Sequence, residues 1–412
     1  MHRLTARGQD LRLAARLPAT ITRYNQWMGV RFWWLIAATF LGFLGMGTVL
    51  PGMAPHIRHD LGGTDQTVGF VIGTFSFVAL GSRFISGPLA DRKGRKSAFL
   101  TGLFSCALAG CAYLLPIGIQ GAFLGRALQG FGEACLYTGA AAWVVEVAGI
   151  SRSGRALGFL SSGIWGGISA GPVVGSWLGS FEHAAMLQVA AALAGFAILW
   201  RIPEDYTPHP HPGKRVWVPG HLIKPGLTVG FVNVHYPVIA GFLILHLTNH
   251  GNSGRMAFSA YAGMVLISRF FFGGLPDRVP PQRTFYWGIA GMAIGLAGLA
   301  MAPPPALAVA SAALLGLGFS FPWASIISTV LKRTPSHERG SAVGVLSAFY
   351  DLFVGMSSFA AGVIANNFGY RAVFLMALCA LGVAALSARA VFASGHFESA
   401  LEEISGSKMT VK

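Results

Sequence analysis

Charged residues are scarce in this chain of 412 residues: they make up 11% of it, whereas hydrophobic residues make up 53%. This balance excludes a water-soluble protein that hides its apolar side chains in one core. It is typical of a membrane protein, because a spanning helix needs about 20 mostly apolar residues. The chain contains twelve such stretches, the first at 32–55 and the last at 371–393.

Cysteine is also rare, and all four cysteines fall inside predicted spans. That placement argues against a disulfide framework, and the spacing of the cysteines is not that of a metal site. The chain has no GxxxxGK[ST] loop and no strand pattern to carry one, so ATP-driven transport is not expected. We expect no cofactor, no metal and no enzymatic activity.

Basic residues outnumber acidic residues by 30 to 15. In a soluble protein this excess would suggest nucleic acid, but here its distribution along the loops explains it better. With the N-terminus inside, 24 of the 30 Lys and Arg fall in the tails and cytoplasmic loops. We therefore expect cytoplasmic N- and C-termini, a bacterial inner (cytoplasmic) membrane, the lipid bilayer as a partner and no nucleic acid.

A polar, proline-rich segment separates two apolar parts of the chain and has the composition of a linker. The basic N-terminal segment favours the anionic cytoplasmic leaflet, with a mitochondrial transit peptide as the alternative. The predicted organisation is a cytoplasmic tail, a six-helix bundle, a cytoplasmic linker, a second six-helix bundle and a cytoplasmic tail, at 1–31, 32–201, 202–225, 226–393 and 394–412.

The two apolar parts are related by an internal repeat. Ser82–Arg92 reads SRFISGPLADR, and Ser268–Arg278, 186 positions later, reads SRFFFGGLPDR. The same offset aligns GRALGFLS at Gly154 with GSAVGVLS at Gly340. The repeat predicts an all-α membrane protein of twelve helices in two pseudo-symmetric six-helix bundles. Such halves are typical of a transporter that rocks two bundles about a central binding site.

Four motifs resemble those of the major facilitator superfamily, and the resemblance covers 32–393. GPLADRKGRK, at Gly87–Lys96, is similar to the signature loop between helices two and three, and GGLPDR, at Gly273–Arg278, to its degenerate second copy. FLGRALQGFGEA, at Phe123–Ala134, resembles the helix-four motif, and GISAGPVVGS, at Gly167–Ser176, resembles the helix-five motif associated with antiporters. The segments SAFYDLFVG and FGYRAVF resemble the arabinose-efflux-permease-like branch of twelve-helix drug/proton antiporters.

The signature loop is expected to form a cytoplasmic gate. Asp91 places a carboxylate where it can face the positive N-terminal end of a helix on the same side, and the resemblance implies that this is helix eleven. By the repeat, Asp277 would face the start of helix five. These contacts would latch the halves when the pore opens outward; the alternative is that both are ordinary loop acids. The expected gate comprises Gly87, Asp91, Arg92, Arg95, Gly273, Asp277 and Arg278.

Ionisable residues that do not recur in both halves are candidates for the working site, because a charge at membrane depth is costly and usually faces a wet cavity. Arg126 and Glu133 are two helical turns apart on one face of helix four, with Gln129 between them, so they could share one cavity. We expect Glu133 and Asp351 to carry the coupling proton; the alternative for each is a structural ion pair.

Arg126 matches the family's helix-four arginine, and the resemblance implies a role in proton coupling or in holding an anion. A purely structural pairing is the alternative. Helix one has no acid between Phe32 and Pro55, unlike in some drug/proton antiporters, and this departure argues against cation export. The residues expected around the substrate cavity are Arg126, Gln129, Glu133, Tyr137, Trp165, His235, Tyr350 and Asp351.

Two further patterns concern helix packing and the outer helix ends. Small residues four apart in helix five form a groove for close helix packing, and the antiporter-motif residues are Gly167, Gly171, Pro172 and Gly175. Histidines at the outer ends of helices one and seven could hold a metal or sense pH, but interfacial histidines are expected because the sequence places no carboxylate or cysteine to complete a site. These are His56, His59, His246 and His250.

The expected function is proton-coupled secondary transport by alternating access, with a monomer exporting a small organic compound, either a drug or a metabolite, in exchange for protons. One alternative is proton-coupled uptake of an organic anion held by Arg126. The other is a membrane sensor or partner-binding protein that does not transport.

Overall fold

A computed structural model describes residues 29–149, 152–204, 219–248, 253–272, 275, 279–334 and 339–409. These residues form helices and short connections, with no strand among them. The twelve long helices are α1 Val30–Asp60, α2 Asp65–Lys93, α3 Arg95–Leu114, α4 Ile119–Ala148, α5 Ser153–Trp177, α6 Phe181–Trp200, α7 Gly220–Leu247, α8 Ser253–Phe272, α9 Pro281–Ala300, α10 Pro305–Arg333, α11 Arg339–Phe368 and α12 Tyr370–Met409.

Within the described ranges, nine helices are long and apolar enough to cross a membrane. The other three are α4, α8 and α9. Two of them carry charges: Arg126 and Glu133 in the interior of α4, and Arg269 in the last turn of α8. A helix satisfies its own backbone hydrogen bonds, which is what a chain inside a bilayer requires. The predicted all-α fold of twelve helices is confirmed.

The helices form two bundles, α1–α6 and α7–α12. In the first bundle α1 packs against α5 and α6, and α3 packs against α4 and α6. In the second, α10 packs against α8 and α9, and α12 packs against α7 and α9. The halves meet chiefly along two helix pairs, α2 with α11 and α5 with α8, and the end of α1 packs against α7.

We call the end of the molecule at which α2 gives way to α3 the basic end, because Arg92, Lys93, Arg95 and Lys96 lie there. At the opposite end the halves are in close contact. A Cβ on Gly69 of α2 would lie 2.7 Å from the Cα of Gly362 in α11. At the basic end, a Cβ on Gly87 of α2 would have no neighbouring atom within 4 Å, and the same holds for Gly344 of α11. The halves therefore separate toward the basic end.

The glycine groove of α5 receives α1. A Cβ on Gly167 would lie 2.6 Å from the carbonyl oxygen of Phe40, and a Cβ on Gly171 would lie 2.7 Å from the Cα of Gly47. Since real Cβ atoms do not approach backbone this closely, only glycine permits the observed separation of the two helices. Pro172 lies inside α5, where its ring contacts the same face of α1.

Two helix ends differ from the predicted boundaries. The linker was expected to end at residue 225, but α7 begins at Gly220. The cytoplasmic tail was expected to begin at residue 394, but α12 continues to Met409, although its apolar part ends at Ala393. Loss of hydropathy marks the end of a span, whereas Ala, Leu, Glu and Lys continue to favour helix beyond it.

Candidate functional site

Arg83 of α2 joins two carboxylates from different helices. Its Nη2 and Nε donate to Oδ2 of Asp351 in α11, over 2.6 and 3.0 Å. Nη2 is also 3.9 Å from Oε2 of Glu133 in α4. The guanidinium carbon lies 5.6 Å from the ring centroid of Tyr137, one turn beyond Glu133. We name these four residues the Arg83 cluster; its ion pair connects the two halves of the molecule.

The charges of the Arg83 cluster do not cancel. Two carboxylates and one guanidinium leave one negative charge over when all three groups are ionised. Oε2 of Glu133 is buried and accepts no hydrogen bond within the described part of the chain. Asp351 is also buried. A buried charge without a partner is costly, so the binding of one proton to either carboxylate would remove the excess negative charge.

Arg126 lies in a separate polar network. Its Nη1 donates to Oε1 of Gln129 over 2.6 Å, and its Nη2 donates to the carbonyl oxygen of Ile72 over 3.2 Å. Tyr113 donates to the same oxygen of Gln129 over 3.0 Å. Arg126 is 4% exposed and Gln129 is fully buried. This network is a packed contact between helices of the first half.

The structure thus corrects the expectation that Arg126, Gln129 and Glu133 share one cavity. Seven residues of helix place Arg126 and Glu133 on the same face but separate them by about 10 Å along the axis. At that separation each side chain meets different neighbours: Arg126 bonds within its own half, and Glu133 lies beside Arg83.

The repeat places a second arginine, Arg269 of α8, at the position of Arg83. Its guanidinium carbon lies 3.8 Å from the ring centroid of Trp165 in α5 and 5.6 Å from that of Phe319 in α10. At the 186-residue offset, Trp165 is the counterpart of Asp351, and Phe319 is the counterpart of Glu133. The second half therefore keeps the arginine and replaces both carboxylates with aromatic rings. We name Arg269, Trp165 and Phe319 the Arg269 cluster.

Reasoning from the sequence missed both arginines as site residues. It treated side chains that recur in both halves as scaffold and looked for working residues among those that do not recur. The triplet SRF at 82–84 and at 268–270 contained the signal, since a charged residue within a predicted span is a functional candidate in its own right.

A cavity of about 780 Å³ lies between α5, α8 and α10 on the side of the basic end. This volume lies in the range of small-molecule sites. Trp165 and Arg269 line its inner wall, and Lys332 lies near its mouth. The remaining polar side chains of the lining are hydroxyls, and the lining contains no acidic side chain among the described residues; the hydroxyls belong to Ser161, Ser162, Ser320 and Ser328.

Trp165 separates this cavity from a much smaller void of about 30 Å³ toward the opposite end. Tyr236, Phe258 and Tyr261 are among the side chains that close the void. At that end Asp65 of α2 is 3.1 Å from Nε of Arg58 and accepts a hydrogen bond of 3.0 Å from the hydroxyl of Tyr370 in α12. The site is thus accessible from one side.

Two further residues expected around the substrate, His235 and Tyr350, are not in the lining of this cavity. His235 is buried behind Phe319, with ring centroids 4.7 Å apart, and its Nε2 is 3.2 Å from the hydroxyl of Tyr261. Tyr350 packs against Trp323, which lines the cavity. Of the eight expected residues, Trp165 is the one in the described lining.

The expected gate residues are partly outside the described ranges, since Gly273, Asp277 and Arg278 are not among them. Asp91 and Arg92 lie at the end of α2, and Nη1 of Arg95 is 2.5 Å from Oε2 of Glu146 in α4. Glu204 accepts hydrogen bonds of 2.6 and 3.1 Å from the backbone N–H groups of Arg95 and Lys96, where a carboxylate stabilises the start of α3. This role of Glu204 was not predicted. The latch of Asp91 and Asp277 stays a prediction.

The outer histidines have local partners. Nδ1 of His56 is 2.7 Å from Oδ2 of Asp60, a carboxylate that was overlooked in the sequence, and its ring stacks on Phe181. Nε2 of His246 is 3.0 Å from the carbonyl oxygen of Leu299. His59 is exposed, and His250 lies outside the described residues. Among the described residues, no group of three or more His, Cys, Asp or Glu could hold a metal ion.

Two six-helix halves around a cavity that is accessible from one end define a multi-pass membrane transporter. The chain belongs to the major facilitator superfamily, whose family model matches residues 35–358 and 256–404. The resemblance of its sequence motifs to that family is thereby confirmed.

Relatives and solved structures agree with this assignment. An uncharacterized MFS-type transporter of Salmonella typhimurium is 28% identical over 363 residues, covering 84% of this chain and 92% of its own. An uncharacterized MFS-type transporter of Pseudomonas aeruginosa is 29% identical over 370 residues, covering 86% of this chain and 91% of its own. The nucleoside transporter NupG is similar with a TM-score of 0.70 at 16% identity, covering 88% of this chain and 98% of NupG. A D-xylose-proton symporter is similar with a TM-score of 0.72 at 14% identity, covering 87% of this chain and 96% of the symporter. The structural likenesses show the fold.

Proposed function

We propose that this transporter couples protons to the export of a small organic compound across the bacterial inner membrane by alternating access. The observation that carries the proposal is the largely buried ion pair of Arg83, whose side chain is 21% exposed, with Asp351; the pair connects the two halves beside Glu133. A group that binds a proton and also ties one half to the other can link protonation to the rocking of the halves.

A proton on Asp351 removes the negative charge that holds Arg83 to the second half. Arg83 then has Glu133 as its remaining carboxylate, and that carboxylate belongs to its own half. The contact between α2 and α11 is then weakened at mid-depth, which lowers the barrier for the halves to rock past each other. In the arrangement described above the ion pair is formed and the cavity faces the basic end. This combination fits a deprotonated transporter that loads substrate from the cytoplasm.

The return step begins at the outer side. When the halves close at the basic end, Asp91 reaches the start of α11, and the link from Asp65 to Tyr370 at the opposite end opens. Protons then enter the Arg83 cluster from outside and break the ion pair. The protonated transporter turns back to the cytoplasm, where it releases the proton and the ion pair forms again. The glycine groove of α5, which resembles the antiporter motif, favours export as the direction.

Two alternatives have less support. Uptake of an organic anion held by Arg126 needs an exposed guanidinium, but Arg126 is 4% exposed and bonds to Gln129 and Ile72. A sensor that does not transport leaves the ion pair between the halves and the cavity beside Arg269 without a use.

The test begins in cells that overproduce the protein, where compounds enriched in the medium are identified against cells without it. Uptake of such a compound is then measured in inverted membrane vesicles with an acidic interior. We expect uptake driven by the pH gradient, and its loss in Asp351→Asn and in Glu133→Gln because neither amide can take up the coupling proton. Asp60→Asn, an exposed acid at the opposite end, is the control and should transport normally.

The outcome decides between the three functions. Accumulation that requires the opposite vesicle orientation would show proton-coupled uptake. Transport that is unchanged when Asp351 and Glu133 are both neutralised would exclude the Arg83 cluster as the proton site. The absence of any exported compound, together with unchanged growth in a drug-resistance screen, would favour the sensor.

A further inference from the structure

Arg269 is partly buried and lines the cavity, and its guanidinium has donors without a hydrogen-bond partner among the described residues. Its Nε and Nη2 are inaccessible to solvent and make no hydrogen bond to any described residue. A guanidinium carries five N–H donors that are matched best by carboxylate or phosphate oxygens. Stacking on Trp165 offsets part of the cost of burying the charge, but the indole ring does not replace the oxygen acceptors that these donors lack. The position therefore lacks an anionic partner within the described chain.

The first half shows which partner is missing. Arg83 occupies the same place in the repeat, and there the two neighbouring positions are Asp351 and Glu133, both carboxylates. At Arg269 the corresponding positions are Trp165 and Phe319. The scaffold is thus the same in both halves, and the second half differs in having no acid beside the arginine among the described residues. A carboxylate from outside the chain that reaches Arg269 through the cavity can supply the negative charge that acids supply in the first half.

The cavity beside Arg269 fits a molecule with an acidic group and an apolar body. Its volume of about 780 Å³ accommodates a small organic molecule, and aromatic rings form much of its wall. Arg269 at its inner end and Lys332 near its mouth make it electropositive, since the described lining contains no carboxylate. Such a field attracts anions and repels amines.

We propose that Arg269 binds the carboxylate of the transported substrate, and that the substrate is an aromatic or similarly apolar monocarboxylate whose body packs against Trp165 and Trp323 in the cavity lining. This inference rests on the proposed transport function and names its substrate class. It also fits export: an anion that leaves and a proton that enters both move positive charge inward, so the membrane potential assists the exchange as well as the pH gradient.

The test measures equilibrium binding to the purified full-length protein in lipid nanodiscs, without any gradient. The probes are phenylacetate, phenylacetamide and phenethylamine, which share a phenyl ring and differ in charge. We expect phenylacetate to bind at least about tenfold more tightly than the neutral amide, which corresponds to about 1.4 kcal/mol, and the amine not to bind. Arg269→Gln should remove the preference for the acid.

A second variant keeps the test informative if Arg269→Gln does not fold. Phe319→Glu inserts the carboxylate that the first half has at Glu133, so Arg269 gains an internal partner and its burial is no longer costly. We expect this variant to fold and to lose phenylacetate binding, because the anion site is already occupied. Its melting temperature, measured without ligand, reports folding independently of binding.

The failure of this inference can be separated from the failure of the proposed function. Asp351→Asn should bind phenylacetate but lose proton-driven transport, because Asp351 belongs to the Arg83 cluster. The inference is overturned if phenylacetate does not bind, if it binds no better than the amide, or if Arg269→Gln binds it as the wild type does. Arg269 would then be a structural stack on Trp165, whereas the vesicle experiment would still decide proton coupling.

Discussion

Three arginines within the predicted spans of this transporter have different surroundings, and the surroundings determine what each can do. Arg126 donates to an amide and a backbone carbonyl of its own half. Arg83 faces carboxylates from both halves. Arg269 faces aromatic rings. Because a buried guanidinium must be compensated, the identity of its neighbours is the best guide to its role.

The Arg83 ion pair should contribute strongly to stability. Arg83→Gln leaves Glu133 and Asp351 buried near each other without a cation, and removal of one member of a buried pair typically costs about 3–5 kcal/mol. We expect a large decrease in the thermal unfolding midpoint of the purified protein. Adding Glu133→Gln should recover part of the loss, because one of the two unpaired charges is then removed.

Arg92→Gln is the matched control for this series, since Arg92 is an exposed arginine in the last turn of the same helix. Its free energy of unfolding should remain within about 0.5 kcal/mol of that of the wild type. A double variant no more stable than Arg83→Gln alone would show that repulsion between the carboxylates is not the source of the loss.

The residue types of the proposed proton site were predictable, but their partners were not. Glu133 and Asp351 stand out in the sequence because an acid inside an apolar span is costly. Helical spacing then suggested Arg126 as the neighbour of Glu133. The observed neighbour, Arg83, is 50 positions earlier in the chain and on another helix, and it meets Asp351 only because α2 and α11 pack across the two halves. Periodicity describes one helix and carries no information about such contacts.

At the scale of one helix pair, the packing of α5 on α1 depends on glycines, which have no side chain to keep the helices apart. A Cβ on Gly171 would lie 2.6 Å from the carbonyl oxygen of Leu44 and 2.7 Å from the Cα of Gly47, both of which are backbone atoms. Gly171→Ala should therefore force the helices apart and destabilise the protein by about 1–3 kcal/mol. The midpoint of thermal unfolding in detergent measures this effect.

Gly166→Ala is the control on the same helix. Its Cβ would lie 3.5 Å from the ring of Phe40, an ordinary contact, so alanine should be tolerated there and its higher helix propensity can even stabilise α5. If the two alanine variants unfold at the same temperature, the groove is not a tight interface. Close packing against another helix was predictable from glycines four residues apart, whereas the identity of the partner, α1, was not.

For the whole molecule, hydropathy and the repeat predicted the twelve helices and their division into two halves. This succeeds because apolar length and internal symmetry are properties of the chain itself. The arrangement of the halves is a different kind of property. Both arrangements of an alternating transporter use the same helices, and the contacts that favour one of them, such as that of Asp65 with Tyr370, join residues 305 positions apart.

The link between Asp65 and Tyr370 should help to keep the opposite end closed. Tyr370→Phe removes the hydroxyl that donates to Asp65 and leaves the ring in place. A hydrogen bond of this kind contributes about 0.5–1.5 kcal/mol, so the population open at the opposite end should increase by about 2- to 10-fold. Spin labels on Pro116→Cys and Pro304→Cys, exposed positions in the α3–α4 and α9–α10 connections, would show this increase as a longer distance component.

The labelled protein needs Cys111 and Cys379 replaced by serine, because both thiols are exposed, whereas Cys106 and Cys135 are buried. Tyr286→Phe is the matched control: its hydroxyl donates to the carbonyl oxygen of Ala385 within the second half, so its loss should leave the distance distribution unchanged. Equal shifts in both variants would indicate a general loosening of the fold. No shift in Tyr370→Phe would show that the apolar packing of α2 against α7 and α11 closes this end without the hydrogen bond.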